Sequence, residues 1–182
     1  MVVSSGLIPG DGFSVHAAVD GECESGPNTG GEKMAENLNR QRVLNFLEAF
    51  YSGDIEGALA RCSDDVDFVT HAPIDILPHL GHRRGKAEVG TMWRTVHARY
   101  SDMRHEVPFL VTEEDRVAAS IRVFFRKRAN GRIVQFDIAA FYTLRDGRIA
   151  KIHEILDSFE LVQQILERDI AAELMANKSR TG

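Results

Sequence analysis

Residues 136–165 read FDIAAFYTLRDGRIAKIHEILDSFELVQQI. Two apolar runs flank Arg145-Asp146-Gly147-Arg148, and Asp-Gly in that position is a strong signal for a tight two-residue hairpin turn. The stretch predicts a strand, a turn, a second strand and a closing helix. Two carboxylates, Asp137 and Glu154, fall inside the strands, where acidic residues are depleted. Each is either tied to a nearby Arg, Lys or His in a structural network or held for chemistry.

Working outward, strands are expected over 103–112, 116–126 and 132–144, so that the strand 148–156 completes an antiparallel meander. Upstream, Val43, Leu44, Leu47, Phe50 and Tyr51 recur at helical spacing with Phe46 beside them, which predicts an amphipathic helix over 35–52. Gly53 ends it, and Asp54 caps a short second helix over 55–62. Val66, Phe68 and Thr70 alternate as a short strand over 64–70. Residues 71–85, with their prolines and glycines, read as a long loop. Val89, Met92, Trp93, Val96 and Tyr100 share one face of a third helix over 86–100. Helices precede and follow a run of strands, which is an α+β arrangement with helices folded onto one face of a curved sheet.

The chain has 182 residues, 43% hydrophobic and 27% charged, with a formal net charge of −5. That suits one ordinary globular domain and gives no reason to expect nucleic-acid binding. The basic run Arg126-Lys127-Arg128 reads as a solvated hairpin tip beside Asn130-Gly131. Two cysteines, Cys23 and Cys62, suggest neither a disulfide framework nor Cys-based metal binding. No apolar run is long enough to span a bilayer and no basic region precedes an apolar one at the start, so a cytoplasmic protein is expected. Residues 1–33 are rich in Gly and Ser and poor in large apolar groups, which predicts a disordered tail. Met34, just before the first helix, is the expected natural start. The domain is expected over 34–170, with 171–182 frayed.

In this order of elements the chain resembles the SnoaL-like branch of the nuclear transport factor 2-like superfamily over residues 37–166. The residues that carry the likeness are Phe46 to Asp54 at the end of the first helix, Asp64-Asp65-Val66 opening the first strand and Gly85 to Val89 starting the third helix. Asp146-Gly147-Arg148-Ile149 at the last hairpin, and Asp157-Ser158-Phe159 with Leu161 to Gln164 after it, add to it. The resemblance implies a cone-shaped, curved antiparallel sheet wrapped around the N-terminal helices and enclosing a pocket. It also implies a homodimer formed through the other face of the sheet. The fold hosts isomerases, cyclases, epoxide hydrolases, dehydratases and non-catalytic modules, so it does not name a reaction. Placed by the resemblance, Gln135, Asp137, Ala139, Ile152, Glu154 and Leu156 face the pocket. A slip of one residue would nominate His153 and Asp157 instead.

The family's known chemistries can be tested position by position. The polar groups of ketosteroid isomerases would fall on Phe46, Thr70 and Ala139, and that set is missing. The pattern of limonene-type epoxide hydrolases matches at Glu154, but its central-strand positions fall near Ile121 and Val123, with Arg122 out of phase. The polyketide-cyclase pattern needs one acid/base carboxylate in an apolar pocket, and Glu154 between Ile152 and Leu156 fits. Burial would raise its pKa toward neutrality, and Asp137 across from it would raise it further.

His71, His79 and His82 fall in the long loop at spacings that fit no compact ligand motif, so no metal and no cofactor are expected. His97 lies beside the apolar face of the third helix, where it could act at the pocket mouth as acid/base or donor. The apolar loop 72–78 could form a lid or pack on a dimer partner. Arg122 and Arg126, beside Ser120 and Phe124, should face away from the pocket. The expected catalytic residues are Glu154, Asp137 and His97. The expected ligand contacts are Phe46, Phe50, Phe68, Thr70, Trp93, Gln135, Phe141 and Leu156. The expected partner is a small organic molecule; the alternative is a non-catalytic ligand-binding or dimerisation module.

Overall fold

The Asp146-Gly147 turn anchors the architecture. Both residues have positive φ, 52° and 75°, as a type I′ turn requires. Its twist matches that of the strands it joins. Those strands are β5 (Ile133–Arg145) and β6 (Arg148–Leu156). The computed structural model of the chain describes residues 29–178; the expected disorder of 1–28, and Cys23 with it, lies outside the described residues. Before the hairpin come α1 (Thr29–Ser52), α2 (Ile55–Ala60), β1 (Cys62–His71), β2 (His82–Arg84), α3 (Gly85–Arg99), β3 (Tyr100–Glu113) and β4 (Arg116–Lys127), and after it α4 (Ser158–Leu166) and α5 (Ile170–Lys178).

The six strands form one sheet in the order β2-β1-β6-β5-β4-β3. Its pairs are antiparallel except β1 with β6, which run parallel. The sheet is therefore mixed, a correction to the all-antiparallel expectation. The chain leaves β1, passes through α3 and the β3–β4–β5 meander, and returns on β6 in the same direction. Three further differences concern boundaries. Residues 29–33 belong to α1 and 170–178 form α5, where a tail and frayed ends were expected, and His82–Arg84 inside the expected loop pairs with β1 as β2.

Local signals explain the helix ends. Gly53, at φ 91°, follows α1 in a conformation costly for any other residue. The Asp54 carboxylate accepts from the Gly57 N–H and starts α2, and Asp157 does the same for α4 through Glu160 N–H. Beyond the last β6 residue, the backbone of Gln135 would lack a partner on that side. The Gln164 side-chain amide takes it, accepting from Gln135 N–H at 2.7 Å and donating to its carbonyl at 2.6 Å. One side chain thus extends the ladder and ties α4 to the sheet.

The register of β5 against β6 decides which side chains face the helices. Arg145 pairs with Arg148 and Leu144 with Ile149, as the turn dictates, but Thr143 then pairs with Lys151. Ala150 is the extra residue of a β-bulge. Downstream of it, Tyr142 faces Ile152, Ala140 faces Glu154 and Ile138 faces Leu156. Without the bulge Ala139 would oppose Glu154, and Asp137 would share its face, as the resemblance implied. Instead the even-numbered residues of β5 turn inward: Val134, Phe136, Ile138, Ala140, Tyr142 and Leu144 are all buried, and the residues between them are not.

On β4 the inward set is Val117, Ala119, Ile121, Val123 and Phe125, and Arg122 and Arg126 face outward as expected. The core lies between this concave face and α1, α2 and α3. Cys62 is buried in it as a free thiol that burial pushes up to about 12, so it stays protonated and unreactive. No helix among the described residues is long and apolar enough to cross a membrane.

The two faces of the sheet should respond differently to truncation. Ile121→Ala, at a fully buried position, is expected to cost about 2–5 kcal/mol of unfolding free energy. Phe141→Ala on the outer face, 45% exposed, should cost under about 1 kcal/mol in the monomer. Urea denaturation of both variants checks the assignment of faces.

Candidate functional site

The concave face and the helices enclose a cavity with about 80 Å³ of free space, room for several waters or part of a small ring. Its wall is aromatic for a definite reason. Phe46 and Phe50 lie one helical turn apart on α1, and Trp93 faces them from α3 at centroid distances of 5.5 and 5.4 Å, with Phe68 of β1 at 6.2 Å from the indole. Offset and edge-on rings such as these add about 0.5–1.5 kcal/mol per pair beyond their buried area. Trp93 is 2% exposed. Deeper in, Tyr51 stacks on His105 of β3 at 4.4 Å and 18°.

Glu154 projects into this apolar space from β6. It is half-buried, and it belongs to the cavity wall. Among the described residues it has neither an ion-pair partner nor a hydrogen-bond partner. Burial alone pushes its carboxyl up to about 7. A carboxylate deprived of water and of any cation favours its neutral form. Its charge in turn acts on two phenols. Tyr51 and Tyr142 are raised well above the usual range, first by burial and then by Glu154. Thr70 sits directly beside Glu154 in the parallel ladder. The Thr70 hydroxyl and the Tyr142 hydroxyl are buried without hydrogen-bond partners. The polar groups here thus include one carboxyl and two hydroxyls with free hydrogen-bonding capacity.

The structure brings Phe46, Phe50, Phe68, Thr70, Trp93, Glu154 and Leu156 together around the cavity. Four expected site residues lie elsewhere. Asp137 is on the outer face, where Arg122 grips it with two hydrogen bonds of 2.9 and 3.0 Å and holds its carboxyl below the usual range. Gln135 and Phe141 share that outer face, placed there by the Ala150 bulge. His97 is behind Phe50, not at the mouth. Its ring packs edge-on against Phe50 at 5.1 Å, and burial, only partly offset by the Phe50 backbone, holds its pKa below the usual value.

Residues that pattern reasoning passed over take part instead. Tyr51, Phe136 and Ile138 line the cavity, as do Leu77, His79 and Leu80 of the loop after β1. Phe136 and Ile138 could have been found from the unbroken even-numbered apolar series of β5. Nothing local marks His79. The loop reaches the cavity because Leu77 is buried in the core and Arg83 donates to the carbonyls of Pro78 and His79. Among the described residues no three His, Cys, Asp or Glu side chains form a metal-binding group.

A model of the SnoaL-like domain matches residues 43–152, and the chain belongs to that family. Comparison with curated proteins gave no match. Among solved structures the chain is similar to an isomerase candidate from Rhodopseudomonas palustris, with 25% identity and a TM-score of 0.65, covering 71% of this chain and 97% of that one. It is also similar to an LEH-like epoxide hydrolase from M. tuberculosis (17% identity, TM-score 0.61, 76% and 97% covered). A third similar structure is a SnoaL-like polyketide cyclase candidate from Jannaschia sp. CCS1 (14% identity, TM-score 0.62, 72% and 93% covered). The last two likenesses speak for the shared nuclear transport factor 2-like fold alone.

The raised pKa of Glu154 has a stability signature. The folded state holds this proton more tightly than the unfolded chain, so stability falls as pH rises from 4.5 to about 7 and is level above that. At about 1.4 kcal/mol per pH unit the loss is about 3 kcal/mol. Glu154→Gln should therefore be near neutral at a pH of about 4 and stabilise the protein by up to about 3 kcal/mol at a pH of about 8. Denaturant midpoints of both proteins across that range test this.

Proposed function

We propose that the protein is a cofactor-independent enzyme in which Glu154 performs general acid–base catalysis on a small apolar or cyclic organic molecule held against the aromatic wall. The observation that carries this reading is the Glu154 carboxyl, pushed up to about 7 in an apolar cavity without an ion-pair partner among the described residues. A group poised there gives and takes protons with equal ease near neutrality. A structural carboxylate, by contrast, is normally neutralised in place, as Asp137 is by Arg122. Glu154 works alone, because Asp137 is on the other side of the sheet. One proton shuttle suffices for isomerisation, cyclisation, dehydration or hydrolysis, and the free hydroxyls of Thr70 and Tyr142 offer hydrogen bonds nearby. The single free carboxyl agrees with the acid/base pattern of cyclase-type members better than with the multi-residue patterns of the isomerases and hydrolases.

Turnover screening with cyclic carbonyl and epoxide compounds gives the direct test. For any compound turned over, Glu154→Gln should lower kcat by about 10²–10⁴-fold while ligand binding, followed by Trp93 emission, persists. The pH profile should carry a limb near 7, rising where Glu154 starts as base and falling where it starts as acid. An unchanged rate in the Gln variant removes Glu154 from the mechanism.

The working form in this proposal is a cytoplasmic homodimer joined through the outer face of the sheet. Two rows of side chains cross that face, Phe109–Ser120–Ala139–Ile155 and Val111–Ala118–Phe141–His153. Phe109, Val111, Phe141 and Ile155 are 45–59% exposed, and a contiguous apolar patch of that kind marks an interaction surface. The Arg122–Asp137 and Arg126–Asp102 pairs beside it neutralise their own charge, so a second copy would meet no net repulsion there. Sedimentation should give a dimer for the wild-type chain and a monomer for Phe141→Asp; a monomeric wild type refutes this part.

A further inference from the structure

We propose that the cavity continues past His79 into an anion-binding subsite over α3, so that the ligand is an apolar ring bearing an oxyanion such as a carboxylate. This rests on the cavity being a ligand site and adds the polarity of the ligand and the direction in which it lies.

His79 and Met92 each belong to two walls at once, that of the cavity and that of an open groove along the outer side of α3. Two side chains therefore stand between the cavity and the groove. One is a flexible thioether that can give way; the other is carried on the loop after β1. The Nδ1 atom of His79 is buried and has no hydrogen-bond partner. The rest of the groove is Arg83, Ala87, Glu88, Thr91 and Thr95.

The charges at this mouth are unbalanced. Arg83 donates to the carbonyls of Pro78, His79 and His82 and has no carboxylate partner among the described residues. Arg99, one turn beyond Thr95 on α3, is exposed and likewise lacks one. After desolvation, the charges of Arg99 and Arg83 are what hold the His79 pKa down. The single acid of the groove, Glu88, accepts from the Arg84 N–H at the start of α3. The Thr91 and Thr95 hydroxyls donate to helix carbonyls. A half-buried imidazole with a buried, unpartnered ring nitrogen, near two cations that lack carboxylate partners among the described residues, is suited to an anionic oxygen. The apolar wall behind it is suited to a ring.

Trp93 is the single tryptophan of the chain and lines the cavity, so its emission reports filling. The full chain would be titrated with cyclohexylacetate and with its uncharged isostere, cyclohexylacetamide, near pH 6, where Glu154 is mostly neutral. The carboxylate is expected to bind about 10-fold more tightly, about 1.4 kcal/mol, and added salt should erode the difference. Arg99→Gln, at an exposed position that leaves the core untouched, should bring the carboxylate to within about threefold of the amide and leave the amide unchanged, and His79→Phe should narrow the same ratio. Equal affinities in the wild type, or a preference that survives both substitutions, overturn the subsite while the cavity stands. Binding of neither compound overturns the cavity reading and the subsite together.

Discussion

The arrangement of this protein depends on one offset in one hairpin. The Asp146-Gly147 turn sets the pairing of β5 with β6, and the bulge at Ala150 then shifts it by one residue. Because side chains alternate across a strand, that shift exchanges the two faces of β5 relative to β6. It gives the concave face an unbroken apolar series from β5 and leaves Glu154 of β6 as the carboxylate inside. It also puts Asp137 beside Arg122 on the convex face, where solvent and a guanidinium accommodate it. A regular hairpin with the same turn would have faced Asp137 inward with Glu154 and sent Phe136, Ile138 and Tyr142 outward.

The electrostatics of the cavity follow from that placement. Among the described residues no cation pairs with Glu154, and burial holds its proton to about 7. Its environment is costly to stability at neutral pH. The surrounding rings fill space and exclude water, and the hydroxyls of Thr70 and Tyr142 remain free to bond to something else. On the sheet side Glu154 holds its proton; on the side toward α3, burial and the charges of Arg99 and Arg83 lower the pKa of His79.

Much of the fold was legible in the sequence, because periodicity and turn chemistry are local. The helical spacing of Val43 to Tyr51, the Asp54 and Asp157 caps, the Asp-Gly turn and the alternation of β4 each declare an element within a few residues. So did the aromatic wall, since Phe46, Phe50 and Trp93 lie on the apolar faces of their helices. The placement of Glu154 was legible too, flanked on its own face by Ile152 and Leu156. The even-numbered apolar series of β5 was equally present, but the likeness to a regular family pattern outweighed it.

What the sequence determined by itself is therefore the inventory: an α+β domain of the SnoaL-like family, its helices and strands, and an acid inside an apolar strand. What tertiary structure decided is which of those residues meet. Register across a bulge, the parallel return of β6 beside β1, and the approach of His79 to the cavity are set by contacts between residues far apart in the chain. A local pattern specifies the face of an element but not the residue opposite it. Asp137 and Glu154 look alike in sequence, two acids in neighbouring strands. Only the folded sheet gives one of them an arginine and the other, among the described residues, none.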